Sequence, residues 1–166
     1  MSSLAGTFLV ARSALRDGFF GRSVVLLLQH SSDGAFGLVL NRPAKAKELP
    51  FPVFVGGPCQ TEGLLMIHGR QDWAEQDEEH AAEVCPGVFL GTKVQFDLVI
   101  ESESPEQEKF RVFTGYAGWG PKQLESEMNQ GAWIVLPGDG DVLFETPVDE
   151  LWQRLAPPTL HEPSLN

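Results

Sequence analysis

Residues 113–123, Phe113-Thr114-Gly115-Tyr116-Ala117-Gly118-Trp119-Gly120-Pro121-Lys122-Gln123, hold the densest set of groups that could do chemistry. Three glycines within six positions free the backbone for positive φ and close approach. Pro121 suits the first position of a helix, where its missing N–H costs nothing. A helix N-terminus offers unpaired N–H groups and the positive end of a dipole, which is the chemistry of an anion site. Gly115-x-x-x-x-Gly120 followed by Pro121-Lys122 approaches the phosphate-binding loop pattern. Proline separates the second glycine from the lysine, however, and Gln123 replaces the hydroxyl that would ligate magnesium. Nucleotide hydrolysis is therefore not expected, while simple anion binding stays open. So does a structural use, with Trp119 plugging a core and the glycines only turning the chain.

Other reactive groups are scattered. Arg22 and Arg42 could clamp a phosphate or carboxylate with charge-assisted hydrogen bonds. Cys59, just after Gly56-Gly57-Pro58, could take His30 or His68 as a base, but no nucleophile-elbow pattern surrounds it, and a buried thiol is the better reading. His80 with Glu83 and Cys85 has part of a metal-ligand spacing, yet one histidine among many acids reads as surface chemistry. The carboxylates of 72–83 and 101–108 are dense enough for repulsion and solvation to explain them. No catalytic set, metal or cofactor is expected.

A chain of 166 residues, 42% hydrophobic, suits one domain spanning 1–166 with a core at about 4–156. No apolar run approaches a membrane span and the first residues lack the pattern of a secretory leader, so a soluble, cytoplasmic protein is expected. Two cysteines without paired spacing argue against a disulfide framework or structural zinc. The net charge of −11 argues against direct binding of nucleic acid or anionic membrane, both of which need phosphate neutralisation by Lys and Arg. Residues 1–47 nevertheless hold six basic groups against Asp17 and Asp33, enough for a local anion site.

The elements that must position these groups are mostly strands. Thr7–Ala11 reads as the first, followed by a turn at Asp17-Gly18. Arg22–His30 is apolar enough to be buried on both faces, and Ser31–Gly34 turns it into an antiparallel partner over 35–40. That central hairpin delivers Asn41-Arg42-Pro43 to a sheet rim, with Arg42 held extended by the following proline. Prolines make 44–52 a loop or edge segment. Val53–Val55, Leu64–His68, Val88–Leu90, Val94–Ile100, Phe110–Phe113 and Trp133–Leu136 read as further strands, and 72–83 as an exposed acidic segment. Ser104-Pro105-Glu106-Gln107 resembles a helix start that no apolar periodicity continues. Two helices are expected. One of about ten residues runs from Pro121 towards Gly131 with Leu124 and Met128 inward. The other starts at Thr146-Pro147, with Val148, Leu151, Trp152 and Leu155 inward, and ends at Pro157-Pro158. Many strands without βα alternation give an α+β class.

Long blocks of this chain together resemble one family. They are Gly6–Ala11 with Asp17, Phe20 and Arg22-Ser23-Val24-Val25; Gly34-Ala35-Phe36-Gly37-Leu38-Val39-Leu40-Asn41-Arg42-Pro43; Gly56-Gly57-Pro58; and Gly115–Pro121 with Gln123-Leu124-Glu125. They resemble the YqgE/AlgH family of bacterial proteins over roughly residues 4–156. The resemblance implies a bifurcated, mostly antiparallel β-sheet curled into a pseudo-barrel with a few flanking helices. It implies no particular activity; one branch takes its name from a proposed regulatory role in alginate production. Ser13, Lys122 and Cys59 depart from the family's usual residues, and Lys122 matters most because it changes the charge at a helix start.

Barrel-like closure would bring three sheet-rim breaks into one groove: Asn41-Arg42, Gly56-Gly57-Pro58 and the Gly115–Gln123 loop. The expected binding set is Arg22, Asn41, Arg42, Gly56, Gly57, Tyr116, Gly118, Trp119, Gly120, Lys122 and Gln123. It combines guanidinium and amide donors, open backbone and aromatic faces, and suits a small anionic or planar ligand or a partner segment. The leading expectation is a non-enzymatic binding or regulatory protein. The alternative is an enzyme acting on a phosphorylated or carboxylated metabolite, with an arginine as its anion clamp. Arg42 could instead pair with Glu125 or Glu127 and only fasten the loops. Ligand, partner and oligomeric state are not written in these patterns.

Overall fold

The longest apolar run sits at the centre of a sheet, because a strand without a polar face needs cover on both sides. The computed structural model describes residues 3–12, 22–45, 48–76, 82–105 and 109–157. In it β2 (Val24–Ser31) lies between β1 (Thr7–Ala11) and β3 (Gly34–Val39), antiparallel to both. β1 pairs on its other side with β10 (Trp133–Pro137), and β3 with β9 (Ala117–Trp119), giving the order β10-β1-β2-β3-β9. Alternate residues of β2 feed two cores. Val24 and Leu26 pack with Phe8, Val10, Phe113 and Trp152, whereas Val25 and Leu27 pack with Leu9, Trp119, Leu124 and Trp133.

A second five-stranded sheet has the order β4-β8-β5-β7-β6, from β4 (Val53–Val55), β5 (Leu65–His68), β6 (Glu83–Cys85), β7 (Val88–Leu90) and β8 (Phe110–Thr114). Among the described strands only β4 and β8 run parallel. The two sheets share backbone where they meet. β8 continues into β9 through Gly115, whose φ of +78° is left-handed, and Tyr116. The Val39 N–H donates to Gly56 O at 2.8 Å, and the Gly56 N–H donates to Thr114 O at 2.8 Å. The protein is thus α+β, with mostly antiparallel strands that fork into two sheets. Both sheets stay open, so the curling into a pseudo-barrel does not reach closure.

Several expected elements differ. Val94–Ile100 is no strand but part of α2 (Lys93–Ile100). Thr92 caps it, accepting from the Gln95 N–H, while the Gln95 side chain accepts from the Thr92 N–H at 3.0 Å. This capping box outweighs the β-branched residues inside the helix. The acidic segment from Asp72 begins with α1 (Gln71–Gln76), which buries Trp73 and Ala74 while Asp72 and Glu75 stay in solvent. The glycine-rich stretch is partly the strand β9, and α3 (Gln123–Asn129) starts two residues after Pro121. Lys122, with φ +64°, forms the turn between them, so proline does not open the helix. Near the C-terminus α4 (Gly140–Glu145) was not foreseen. Thr146 ends α4 rather than capping the next helix, which starts as a 3₁₀ turn at Val148–Glu150 and becomes α5 (Leu151–Leu155). Leu151 and Trp152 are buried as expected, and Val148 and Leu155 half-buried. The readings on Ser13, Asp17-Gly18, Phe20, His80, Glu106-Gln107 and Pro158 lie outside the described residues.

Candidate functional site

The glycines of the expected groove meet, but as a crossing of backbones. A methyl group on Gly57 would lie 2.1 Å from the Tyr116 carbonyl carbon and 2.2 Å from the Ala117 nitrogen; one on Gly56 would lie 2.4 Å from Gly115 O. Cys59 and Tyr116 exchange two backbone hydrogen bonds of 2.9 Å across the same point. Gly56 and Gly57 are buried, and there is no room between the two segments for a ligand.

The other expected residues separate around this crossing. Arg22, Asn41 and Arg42 line one cleft of about 350 Å³ together with Asp149, Trp152 and Gln153. Asn41 holds its wall, donating to Arg22 O at 2.9 Å and accepting from the Val24 N–H at 3.0 Å. The Arg22 guanidinium lies 5.2 Å above the Trp152 ring. Tyr116, Gly118 and Trp119 line a different recess, of about 710 Å³, with Ser3, His30 and Asp33. Gly120, Lys122 and Gln123 are exposed at the start of α3 and border neither. Gln123 is spent locally: its side-chain oxygen accepts from the Gly120 N–H at 2.9 Å.

The acids of α3 do not hold Arg42. Glu125 Oε2 is 2.9 Å from His30 Nε2, and the Leu4 N–H donates to His30 Nδ1 at 2.9 Å, so a neutral His30 carries its proton on Nε2 and donates it to Glu125. That bond is the main reason the Glu125 carboxyl titrates below its usual range. Glu127 Oε1 accepts from the indole N–H groups of both Trp119 and Trp133, each at 2.9 Å. Trp119 is therefore a buried anchor facing Trp133, the structural role left open by its sequence.

His68 is built into the second sheet. It is 1% exposed, stacks on Phe89 at 5.5 Å and accepts the Arg70 N–H at Nδ1. Burial pushes its pKa down from 6.5 to about 4, against a hydrogen bond with Gln95 that acts the other way. The folded protein then stays neutral at His68 while the unfolded chain takes up a proton, so this contribution is complete above pH 6.5 and is lost as pH falls towards 4. Urea unfolding should show a loss of roughly 3 kcal/mol across that window, since each pKa unit is worth ~1.4 kcal/mol. An equal loss in His68→Gln would overturn the assignment. Among the described residues neither His30 nor His68 is hydrogen-bonded to Cys59, and no three His, Cys, Asp or Glu groups converge as metal ligands. Burial raises the Cys85 thiol to about 11, which keeps it protonated at neutral pH.

A further cavity was not foreseen. It lies in the mouth of the fork, about 420 Å³ in volume, between Leu28, Phe36 and Leu38 of the first sheet and Leu65, Met66 and Leu90 of the second, with Phe96 of α2 closing one side. Leu28 and Phe36 also line the 710 Å³ recess, so the two cavities are neighbours that share these side chains, and the recess adds polar groups at His30, Ser31 and Asp33. Leu64 and Leu90, 43% and 37% exposed, stand at its lip. Reading α2 as a strand hid Phe96; the exposed leucines carried no signal of their own, because single surface apolar residues are ordinary.

The sequence pattern of the AlgH-like family matches residues 8–159. The chain belongs to the AlgH-like family. This AlgH-like chain is 33% identical over 159 residues to a UPF0301 protein of Chlamydia muridarum, covering 89% of the chain and 82% of the relative. It is 34% identical over 165 residues to one of Nitrosococcus oceani, covering 90% and 86%. In structure it is similar to the AlgH protein of Pseudomonas aeruginosa, with a TM-score of 0.71, 27% identity and coverage of 92% and 87%. A Corynebacterium diphtheriae protein shares the AlgH-like fold at a TM-score of 0.77 and 21% identity, covering 96% and 90%. No helix among the described residues is long and apolar enough to cross a membrane.

Proposed function

We propose that this protein works by binding rather than by catalysis, and that its working surface is the cleft in the mouth of the fork. The observation that carries this is the pair of neighbouring cavities that share Leu28 and Phe36, the inner one walled by both sheets and α2, with exposed leucines at its lip. A concave, largely apolar site with a few polar groups at one end is the usual form of a ligand or peptide pocket. Its histidine is already engaged by Leu4 and Glu125, which suits a fixed wall better than a general base. The unpaired thiols of Cys59 and Cys85 suit a reducing, cytoplasmic setting.

The test is a thermal-shift screen over nucleotides, sugar phosphates and organic acids, with each hit mapped by amide chemical shifts. Hits that move Leu28, Phe36 and Leu65 support the reading. Hits that move only Arg22, Asn41 and Gln153 favour the second reading, an anion-handling enzyme, for which the shared arginine cleft is the supporting observation.

Any regulatory role is indirect in this reading. With 23 acidic against 12 basic residues, the isolated protein should not bind DNA tighter than ~100 µM at ~150 mM salt. Micromolar binding in an anisotropy titration would refute that.

A further inference from the structure

The cavity between the two sheets joins an apolar well to a single lysine at its rim. Leu28, Phe36, Leu65, Met66, Leu90 and Phe96 form the well, and Gly91-Thr92-Lys93 close it where α2 begins. The capping box uses the N–H groups of Thr92 and Gln95, and not those of Lys93 and Val94. The Lys93 side chain is 86% exposed, and its ammonium stands 3.4 Å from Asp97, a loose i,i+4 pair that holds it weakly. Resting on the cleft reading above, we infer that this cavity takes a small amphiphilic monocarboxylate, its apolar body in the well and its carboxylate at Lys93.

Size suits a small molecule, because a cavity of about 420 Å³ lies within the ~300–1,000 Å³ of ordinary small-ligand pockets. Charge selects a monoanion. A single lysine against a chain of net charge −11 matches one carboxylate and leaves the second charge of a phosphate unbalanced. Apolar area provides most of the attraction, and the lysine decides which end of an amphiphile is accepted.

Decanoate, decanol and decyltrimethylammonium, each below its micelle concentration, distinguish these contributions when titrated into ¹⁵N-labelled full-length protein. Decanoate should shift the amides of Leu65, Leu90, Gly91 and Thr92 and bind about tenfold tighter than decyltrimethylammonium, the scale of one charge-assisted hydrogen bond. Asp97→Asn, which releases Lys93, should tighten decanoate severalfold. Lys93→Glu should remove the preference and leave decanol unchanged. Equal binding of the three probes, or decanoate binding undiminished in Lys93→Glu, overturns the carboxylate assignment even though the cleft binds. Absence of binding by every probe also overturns it; the cleft reading then stands or falls on whether the wider screen moves Leu28 and Phe36.

Discussion

Gly57→Ala should lower stability by about 4 kcal/mol or more, the largest effect expected of a methyl group added to any of the described glycines. The added carbon would meet backbone atoms of Tyr116 and Ala117 at 2.1–2.2 Å, and backbone cannot rotate away as a side chain can. Overpacking alone costs ~1–3 kcal/mol. Separating the segments also strains the paired Cys59–Tyr116 hydrogen bonds, worth ~1 kcal/mol each. For a domain of this size the melting temperature should fall by ~10–15 °C. Gly63→Ala is the control, because nothing lies within 4 Å of its added carbon; it should change stability by less than ~1 kcal/mol. Equal melting temperatures for the two variants would mean that the sheets are not joined at this crossing.

Glu127→Leu should cost about 4 kcal/mol, because one carboxylate oxygen accepts from two indoles. Trp119 and Trp133 are 6% and 4% exposed, and a buried donor that loses its acceptor costs ~1–3 kcal/mol. Glu127→Gln keeps an oxygen in place but loses the charge, so it should cost about half as much. The tryptophans also report locally: near-ultraviolet circular dichroism of Glu127→Leu should change while the far-ultraviolet spectrum does not. Equal stability of the Leu and Gln variants would remove the two-indole clamp from the account of α3.

What was legible in the chain was local. The unbroken apolar run of β2 and the Asp33-Gly34 turn gave a hairpin, and alternate residues of that run enter separate cores. Leu151 and Trp152 are inward because helical spacing places them on one face. α2 was lost to composition: Val94, Val99 and Ile100 favour strands, and the Thr92–Gln95 capping box, also written in the sequence, was the better signal. Gly56 and Gly57 were recognisable as places of close approach, but the approaching backbone lies some sixty residues away and depends on strand order. The same holds for the candidate site. Leu28, Phe36, Leu65 and Phe96 look like ordinary core residues, and only the divergence of the two sheets leaves space between them.

The pairing of β1 with β10 bears on how the chain is made. Thr7 sits opposite Pro137 and Ala11 opposite Trp133, so β1 waits for a strand that is made about 120–130 residues later. At ~5–20 residues per second that interval is roughly 6–25 s, far longer than a hairpin needs to form. The nascent β1–β2–β3 meander spends it with an open, apolar edge at Phe8, Leu9 and Val10, the kind of edge that recruits chaperones or foreign strands. Slower translation between β3 and β10 should therefore lower the yield of native protein, as soluble yield from messages recoded for speed would measure.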